Sequence, residues 1–225
     1  MRHVFVETNW VFWYAAPAYR RRSDAVRLLQ RAEAGELLLH VPSVCLTEAR
    51  ATLPRRFKTR SELQDVAALW QHLAWVKLQG QVTEDEDATV RSVVGRFESL
   101  VQSELARFDA TLDATLSALR HSAGVDVFAL DDEMLERAID LGASDIDLEP
   151  YDQAVLAAVL GRGSRLRREG ATHVSFCELD RDLQPWDKRG NAKTPLTALY
   201  DEAGVWVYGD FEIDEPPPDW WLSRA

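Results

Sequence analysis

The sequence lacks the cysteines and long apolar runs that mark several common classes of protein. It has two cysteines in 225 residues, Cys45 and Cys177, too few for a disulfide scaffold and without the paired spacing of a zinc ribbon. No stretch approaches the roughly 20 apolar residues that span a bilayer, and Glu7 and Asn9 interrupt the apolar N-terminus too early for a signal peptide. We therefore expect a cytoplasmic protein with reduced thiols and no membrane function.

Nucleotide-binding and hydrolase motifs are also missing. No G-x-G-x-x-G follows a predicted strand, and neither the P-loop pattern G-x-x-x-x-G-K-[ST] nor the pattern G-x-S-x-G occurs. The five histidines are scattered, without H-E-x-x-H or i, i+4 spacing. These absences argue against Rossmann, P-loop and α/β-hydrolase proteins and against chemistry centred on histidine.

Basic residues are in the minority, with 26 Lys and Arg against 37 Asp and Glu and a net charge of −11. This balance argues against a non-specific phosphate binder. Two stretches are nevertheless locally basic, and we predict that they are loops able to contact nucleic acid, although arginines on a solvated face would give the same pattern. The residues concerned are Arg55, Arg56, Lys58, Arg162 and Arg165.

Short apolar runs alternate with helical patterns along much of the chain. Strands are predicted at 3–6, 36–41, 125–130, 172–177 and 205–211, and helices at 23–34, 44–53, 131–141 and 151–161. This alternation predicts an α/β fold over 1–225, a single domain with a central, mostly parallel sheet flanked by helices. Within this domain, Ser23 is the predicted N-cap of the helix at 23–34, and Pro54 predicts the end of the helix at 44–53. Gly161 and Gly163 are predicted to follow the helix that begins at 151.

Two segments depart from the α/β pattern. Residues 61–122 carry a long helical stripe, which predicts an insertion of two helices separated at 80–87. The width of the stripe favours a layer packed on the sheet over a coiled-coil partner site. Residues 212–225 contain three consecutive prolines and the pair Trp220 and Trp221, which predict an extended tail that clasps the domain.

Carboxylates are found where strands end and helices begin. Glu7 ends the first strand, Glu48 lies in the helix after the second, and Asp152 lies in the first turn of a later helix, while Asp180 and Asp182 follow a later strand. Ligands of open parallel sheets bind beyond the carboxyl ends of the strands, so we expect these acids to share one pocket. Each acid alone also fits a solvated helix residue, a helix-dipole partner or a turn former. Their joint placement favours a site.

Such a pocket has a chemical requirement. Neighbouring carboxylates repel one another and raise one another's pKa unless a cation offsets their charge. A set of oxygen ligands favours Mg²⁺ or Mn²⁺, and such ions activate water and stabilise the charge that develops on phosphate during in-line displacement. The pocket therefore predicts a metal-dependent phosphodiesterase, which is nuclease chemistry.

Four segments of the sequence resemble the motifs of the PIN-domain family, whose members include toxin ribonucleases of bacterial toxin-antitoxin pairs. They are HVFVETN, VPSVCLTEARATL, EPYDQAVLAAVL and SFCELDRDLQP, within residues 3–60 and 125–211. The resemblance implies a three-layer PIN-like fold with the long helical stretch as an insertion. It implies catalytic and metal-binding roles for Glu7, Glu48, Asp152 and Asp180, an accessory metal-binding role for Asp182, and a supporting role for Thr8 and Asn9, which would fix the loop.

The resemblance predicts an endoribonuclease that cleaves single-stranded RNA, ahead of DNA, with Mg²⁺ or Mn²⁺ as the cofactor. The family's first acid is usually Asp, whereas Glu7 carries an extra methylene that disturbs the octahedral geometry Mg²⁺ prefers. Glu7 therefore motivates an alternative, a degenerate PIN-like module that binds nucleic acid or protein without cutting. A third hypothesis is a toxin that pairs with an antitoxin-like protein through the helical insertion or the tail, and a homodimer is a further expectation.

Overall fold

Five strands form a parallel sheet in the structure, a computed structural model that describes residues 1–213. The strands are β1 (Arg2–Val6), β2 (Leu37–Pro42), β3 (Val125–Phe128), β4 (His173–Cys177) and β5 (Trp206–Tyr208), and their order across the sheet is β3-β2-β1-β4-β5. Every neighbouring pair is parallel, which confirms the predicted α/β class. The third and fifth strands are shorter than predicted.

Helices connect and flank these strands within the described residues. They are α1 (Thr8–Ala15), α2 (Ser23–Glu33), α3 (Ser43–Arg56), α4 (Thr59–Glu62), α5 (Gln64–Leu78), α6 (Glu84–Leu119), α7 (Asp132–Gly142), α8 (Pro150–Arg168) and α9 (Thr194–Ala203).

The strand order places helices on both faces of the sheet. The chain moves from β1 to β2 to β3 in one direction, then returns to the other side of β1 for β4 and β5. Crossovers between parallel strands are right-handed in almost all proteins, so connections that run in opposite directions lie on opposite faces. The segments with α1 to α6 therefore belong to one face and those with α7 to α9 to the other, consistent with a PIN-like three-layer fold.

The central strand is apolar on both of its faces. Val4, Phe5 and Val6 of β1 are fully buried, because helices cover the sheet above and below them, and this explains why the strand shows no polar alternation. Burial of each such side chain contributes about 1.5–3 kcal/mol. This packing at the centre of the sheet therefore fixes the position of the C-terminal end of β1 relative to that of β4.

Two local predictions of helix ends were wrong. Ser23 is the first residue of α2 rather than its cap, and Arg22 is the cap residue; Asp24 supplies negative charge in the first turn instead. Pro54 does not end α3, which continues to Arg56. The last turn is held by Phe57, which is buried and stacks on Phe12 at 5.2 Å, and this tertiary contact outweighs the local effect of proline.

Helix α8 continues through the glycines that predicted its end. It runs from Pro150 to Arg168, and the glycines allow close approach of its neighbours. A Cβ added at Gly163 would lie 2.5 Å from Val205 Cγ2, and one at Gly161 would lie 2.9 Å from Met134 Cγ. The absence of side chains at these two positions is therefore a packing requirement of this helix and not a break in it.

We expect Gly163→Ala to lower the free energy of unfolding by about 1–3 kcal/mol, although alanine favours a helix by about 1 kcal/mol relative to glycine. Val205 is fully buried and β-branched, so it has little freedom to turn away. The matched control is Gly95→Ala in α6, where an added Cβ meets nothing within 4 Å and should raise stability by up to about 1 kcal/mol. Urea unfolding measures both, and equal stability of the two variants would contradict the close packing.

The helical insertion contains α5 and α6, with the short α4 before them. The break between the two long helices lies at residues 79–83, where Thr83 and Glu86 cap α6 through a reciprocal pair of hydrogen bonds. Helix α6 has 36 residues and is therefore about 54 Å long.

Only part of α6 packs against the rest of the domain. From Val101 onward it contributes buried apolar side chains, namely Val101, Leu105, Phe108, Leu112, Leu116 and Leu119. Its N-terminal half exposes Val93, Phe97 and Leu100, each by more than half, and Trp75 of α5 is also 53 % exposed. The expectation that the whole stripe packs on the sheet is therefore wrong for this half, because the helix is longer than the layer it covers.

None of the helices described over residues 1–213 is long and apolar enough to cross a membrane. Within the predicted tail, Glu212 forms an ion pair with Arg27 at 3.0 Å, and Ile213 is buried. The prediction for the remainder of the tail, including Trp220 and Trp221, lies outside the described residues.

Candidate active site

The carboxyl ends of the parallel strands meet at one edge of the sheet. The connections reverse direction between β1 and β4, so the space beyond these two strands is the switch point at which open α/β sheets bind ligands. Val6 of β1 is the partner of Cys177 of β4. The residues that follow them, Glu7 and Glu178, therefore lie next to each other on strands about 4.8 Å apart.

Glu7 is the N-cap of α1 and is only 5 % exposed. Its Oε2 accepts a hydrogen bond from the backbone N–H of Asn9 at 2.6 Å, whereas its Oε1 is buried without a hydrogen-bond partner among the described residues. A helix N-terminus stabilises negative charge by about 1 kcal/mol, but removing an unpaired carboxylate from water costs several kcal/mol. Burial therefore raises the pKa of Glu7 to about 8, and repulsion from Asp180 and Glu48 acts in the same direction.

The sequence prediction missed Glu178, which directly follows β4 and is fully buried. Its backbone N–H donates to the Tyr208 carbonyl at 2.8 Å, so the residue extends the ladder toward β5. Its Oε1 accepts a hydrogen bond from the backbone N–H of Asp180, and its Oε2 has no partner among the described residues. Burial, and then repulsion from Glu7, raise the pKa of Glu178 well above its ordinary value. Its position after a buried strand, equivalent to that of Glu7, was the sequence signal.

Glu48 reaches the site from α3 and is held by α1. The Thr8 hydroxyl donates to Glu48 Oε2 at 2.5 Å. Thr8 and Asn9 were predicted to fix a loop, but they form the first turn of α1, so that part of the prediction was wrong. From this turn, Thr8 orients one acid, and the backbone of Asn9 orients another, Glu7.

Asp152 lies in the first turn of α8, and Asp180 lies in the segment after β4. Burial, together with the negative charges of Asp180, Glu48 and Asp182, raises the pKa of Asp152 to about 6. These repulsions show that acids from separate parts of the chain converge. Asp182 is exposed, and its backbone N–H donates to Asp180 Oδ1 at 2.9 Å, so it lies at the rim of the acid group.

Two buried side chains that carry no charge lie near the acids. Cys45 of α3 is a free, fully buried thiol, and burial followed by the charge of Glu7 raises its pKa well above the ordinary value. Tyr200 of α9 is also fully buried, and its hydroxyl donates to the Leu183 carbonyl at 3.0 Å. Burial, with repulsion from Glu178, raises the pKa of Tyr200. Both groups therefore stay neutral, and neither offsets the negative charge of the acids.

A divalent cation fits the chemistry of these donors. Glu7 and Glu178 each bury an oxygen that has no hydrogen-bond partner among the described residues, and a bound cation would satisfy both oxygens. The donors are all carboxylates, which suits Mg²⁺ or Mn²⁺. Within residues 1–213, no group of three or more His, Cys, Asp or Glu side chains is arranged to hold a metal ion.

The basic residues expected to contact nucleic acid do not lie in two loops. Arg162 and Arg165 are within α8, Arg55 and Arg56 form the last turn of α3, and Lys58 precedes α4.

Arg162 and Arg165 are engaged with acids. Arg162 forms an ion pair with Asp126 at 3.2 Å, and Arg165 bonds to Asp131 and Glu133. Arg162 is also about 15 Å along the helix from Asp152, since each residue adds about 1.5 Å. Arg56 lies over the Phe12 ring, 4.7 Å from its centroid. Arg55, Arg56 and Lys58 are exposed.

No protein-family model, curated protein or solved structure matches this chain.

Proposed function

We propose that the protein is a metal-dependent phosphodiesterase of the PIN type, an endoribonuclease that cleaves single-stranded RNA. The observation that carries the proposal is the pair of buried carboxylates at the switch point, Glu7 and Glu178, each with an oxygen that has no partner among the described residues. A buried carboxylate without a partner is costly, so a fold that retains two of them side by side is suited to a cation.

The chain's own residues have separate tasks in this proposal. Glu7, Glu178, Asp152 and Asp180 are the side chains that would hold Mg²⁺ or Mn²⁺, with Glu48 and Asp182 beside them. Thr8 keeps the Glu48 carboxylate in place through its hydrogen bond. A divalent ion bound there would supply activation of water and stabilisation of the charge that develops on the phosphate. Arg55, Arg56 and Lys58 of the neighbouring basic segment would contact the phosphates of RNA.

Cleavage of labelled oligonucleotides tests the proposal directly. Single-stranded RNA and DNA of the same sequence are incubated with the protein in Mg²⁺, in Mn²⁺ and in chelator. We expect internal cuts in RNA with at least one of the two metals, slower or no cutting of DNA, and no cutting in chelator. Equal cleavage in chelator would contradict a metal-dependent reaction.

The alternative function, binding without cleavage, is favoured by one observation at the same site. Burial raises the pKa of Glu7 to about 8, so without a cation this group is protonated at neutral pH and is a poor metal ligand. A folded protein that binds RNA in a fluorescence anisotropy titration, but cuts nothing in either metal, would establish this alternative and refute the nuclease proposal.

A further inference from the structure

A second cluster of titratable side chains crosses the sheet away from the acid site. His3 of β1, His40 of β2 and Asp126 of β3 lie on three neighbouring strands, and Arg162 of α8 joins them from the covering helix. His3 Nδ1 is 3.0 Å from His40 Nε2, and His40 Nδ1 is 2.9 Å from Asp126 Oδ2. The strand register places His40 beside both Phe5 and Asp126.

The central histidine of this cluster is fully buried. Its ring stacks on Phe5 at 4.9 Å and on His3 at 5.2 Å, so it has no direct contact with solvent. His3 is partly exposed, and Asp126 retains 32 % of its side-chain exposure. Protons therefore reach His40 through His3 or Asp126 and not directly from water.

The hydrogen bonds fix which nitrogen carries a proton. Asp126 accepts from both His40 and Arg162, and the bond with His40 is the main cause that holds the pKa of Asp126 below its usual value. Asp126 is therefore an ionised acceptor, and His40 Nδ1 must be the donor to it. When His40 is neutral, its Nε2 is consequently an acceptor, and His3 Nδ1 donates to it.

We propose that His3, His40 and Asp126 form a buried binding site for one proton, taken up from solvent at His3 and stored on His40. A proton adds to His3 Nε2, and the proton on His3 Nδ1 passes along the existing hydrogen bond to His40 Nε2. His3 is then neutral, protonated at Nε2, and His40 is an imidazolium that donates to Asp126 and to His3. The positive charge thus moves from the surface to a position beside the Asp126 carboxylate, with no change in the hydrogen-bonded pairs.

The geometry opposes a second proton. With both imidazoles charged, an N–H of His3 would face an N–H of His40 at 3.0 Å, which removes their hydrogen bond and places like charges together. Arg162 and the amino group of Met1 add positive charge near His3, and only Glu169 acts in the opposite direction among the charges that most affect its pKa. Burial is the largest cause that lowers the pKa of His3, followed by His40.

The stored proton has a measurable effect on folding. The unfolded chain binds a proton on each of these two histidines below their ordinary pKa, whereas the folded protein binds one on the pair. The folded state is therefore one proton short at low pH, and its stability falls as the pH decreases. One proton of difference corresponds to a tenfold rise in the unfolding equilibrium constant for each pH unit.

Urea unfolding between pH 7.5 and 5 tests this difference by comparing wild type with His3→Gln. The glutamine amide can donate to His40 Nε2 in place of the imidazole. The unfolded variant has one titrating histidine fewer than unfolded wild type, whereas the folded variant still takes up one proton on His40. The folded and unfolded variant therefore bind the same number of protons at this cluster. We expect wild type to lose stability relative to the variant by about tenfold in the unfolding constant per pH unit below the ordinary histidine pKa. His173→Gln, at an exposed histidine of β4, is the control and should follow wild type.

Nitrogen-15 NMR of the two imidazoles in wild type tests the same proposal without a substitution. When the pair has taken up its proton, we expect His40 to show two protonated ring nitrogens and His3 to show one. Both rings reaching the doubly protonated form in the folded protein would overturn the proposal, as would parallel stability curves for wild type and His3→Gln. These outcomes are independent of the nuclease proposal, since none of the residues lies in the acid site.

Discussion

Asp152→Asn is expected to lower metal-dependent cleavage at least about a hundredfold, while the protein stays folded. Loss of one carboxylate from the set that would hold the metal removes several kcal/mol of charge stabilisation, and each 1.4 kcal/mol corresponds to about tenfold in rate. The amide has nearly the same shape as the carboxylate. It also removes the repulsion that raises the pKa of Asp152, so the free protein should be as stable as wild type or more stable.

The matched control for this variant is Asp109→Asn, which makes the same change at an exposed position of α6. Rates are measured on the RNA substrate at several Mg²⁺ and Mn²⁺ concentrations, and thermal unfolding of each protein is followed by circular dichroism. Full activity in folded Asp152→Asn would remove Asp152 from the site. Equal loss of activity in Asp109→Asn would show that the effect is not local.

Glu7→Gln is expected to stabilise the metal-free protein strongly at pH 8 and hardly at all at pH 4.5. The pKa of Glu7 is about 8 in the folded protein, against 4.5 as its ordinary value. Between these values the folded protein holds a proton that the unfolded chain has released, so wild-type stability falls as the pH rises, by at most about 1.4 kcal/mol per pH unit. Glutamine has no such titration, and the variant loses this dependence.

Denaturant unfolding at pH 4.5, 6 and 8 in chelator measures the effect, with Glu136→Gln at an exposed position of α7 as the control. Wild type should also gain stability from Mn²⁺ at pH 8, because an ion that binds the folded state shifts the equilibrium toward it. The variant should gain less. A Glu7→Gln protein that is no more stable than wild type at pH 8 would show that the buried carboxylate carries no cost.

The sheet could be predicted from the sequence because its three central strands, β2, β1 and β4, are mostly buried on both faces. The runs VFV and LLL are apolar without alternation, and helical patterns between the strands imply crossovers and hence parallel pairing. The same reasoning located the acids, since residues that follow parallel strands share one edge. Glu178 was missed because the aspartates after it matched a family motif, although its position after β4 is the same as that of Glu7 after β1.

Other features depend on distant contacts that no local pattern contains. A glycine such as Gly163 is typical of the end of a helix. In the structure, however, it leaves space for the side chain of Val205, about 40 residues away in the sequence. Pro54 is kept within α3 by aromatic packing of Phe57 against α1. The exposed half of α6 has the same apolar spacing as the buried half, and only the size of the sheet layer determines where its burial stops.

During synthesis, the acid site can form only after β1 has paired with β4. Residues 2–6 must wait for residues 173–177, which a ribosome adds about 10 to 30 seconds later at roughly 5–20 residues per second. Until then the emerging chain carries Glu7 and Glu48 without Glu178 beside them. The Glu7 carboxylate is then not yet buried and remains hydrated. An unfinished chain therefore lacks the buried pair of Glu7 and Glu178, which forms only when β4 joins β1.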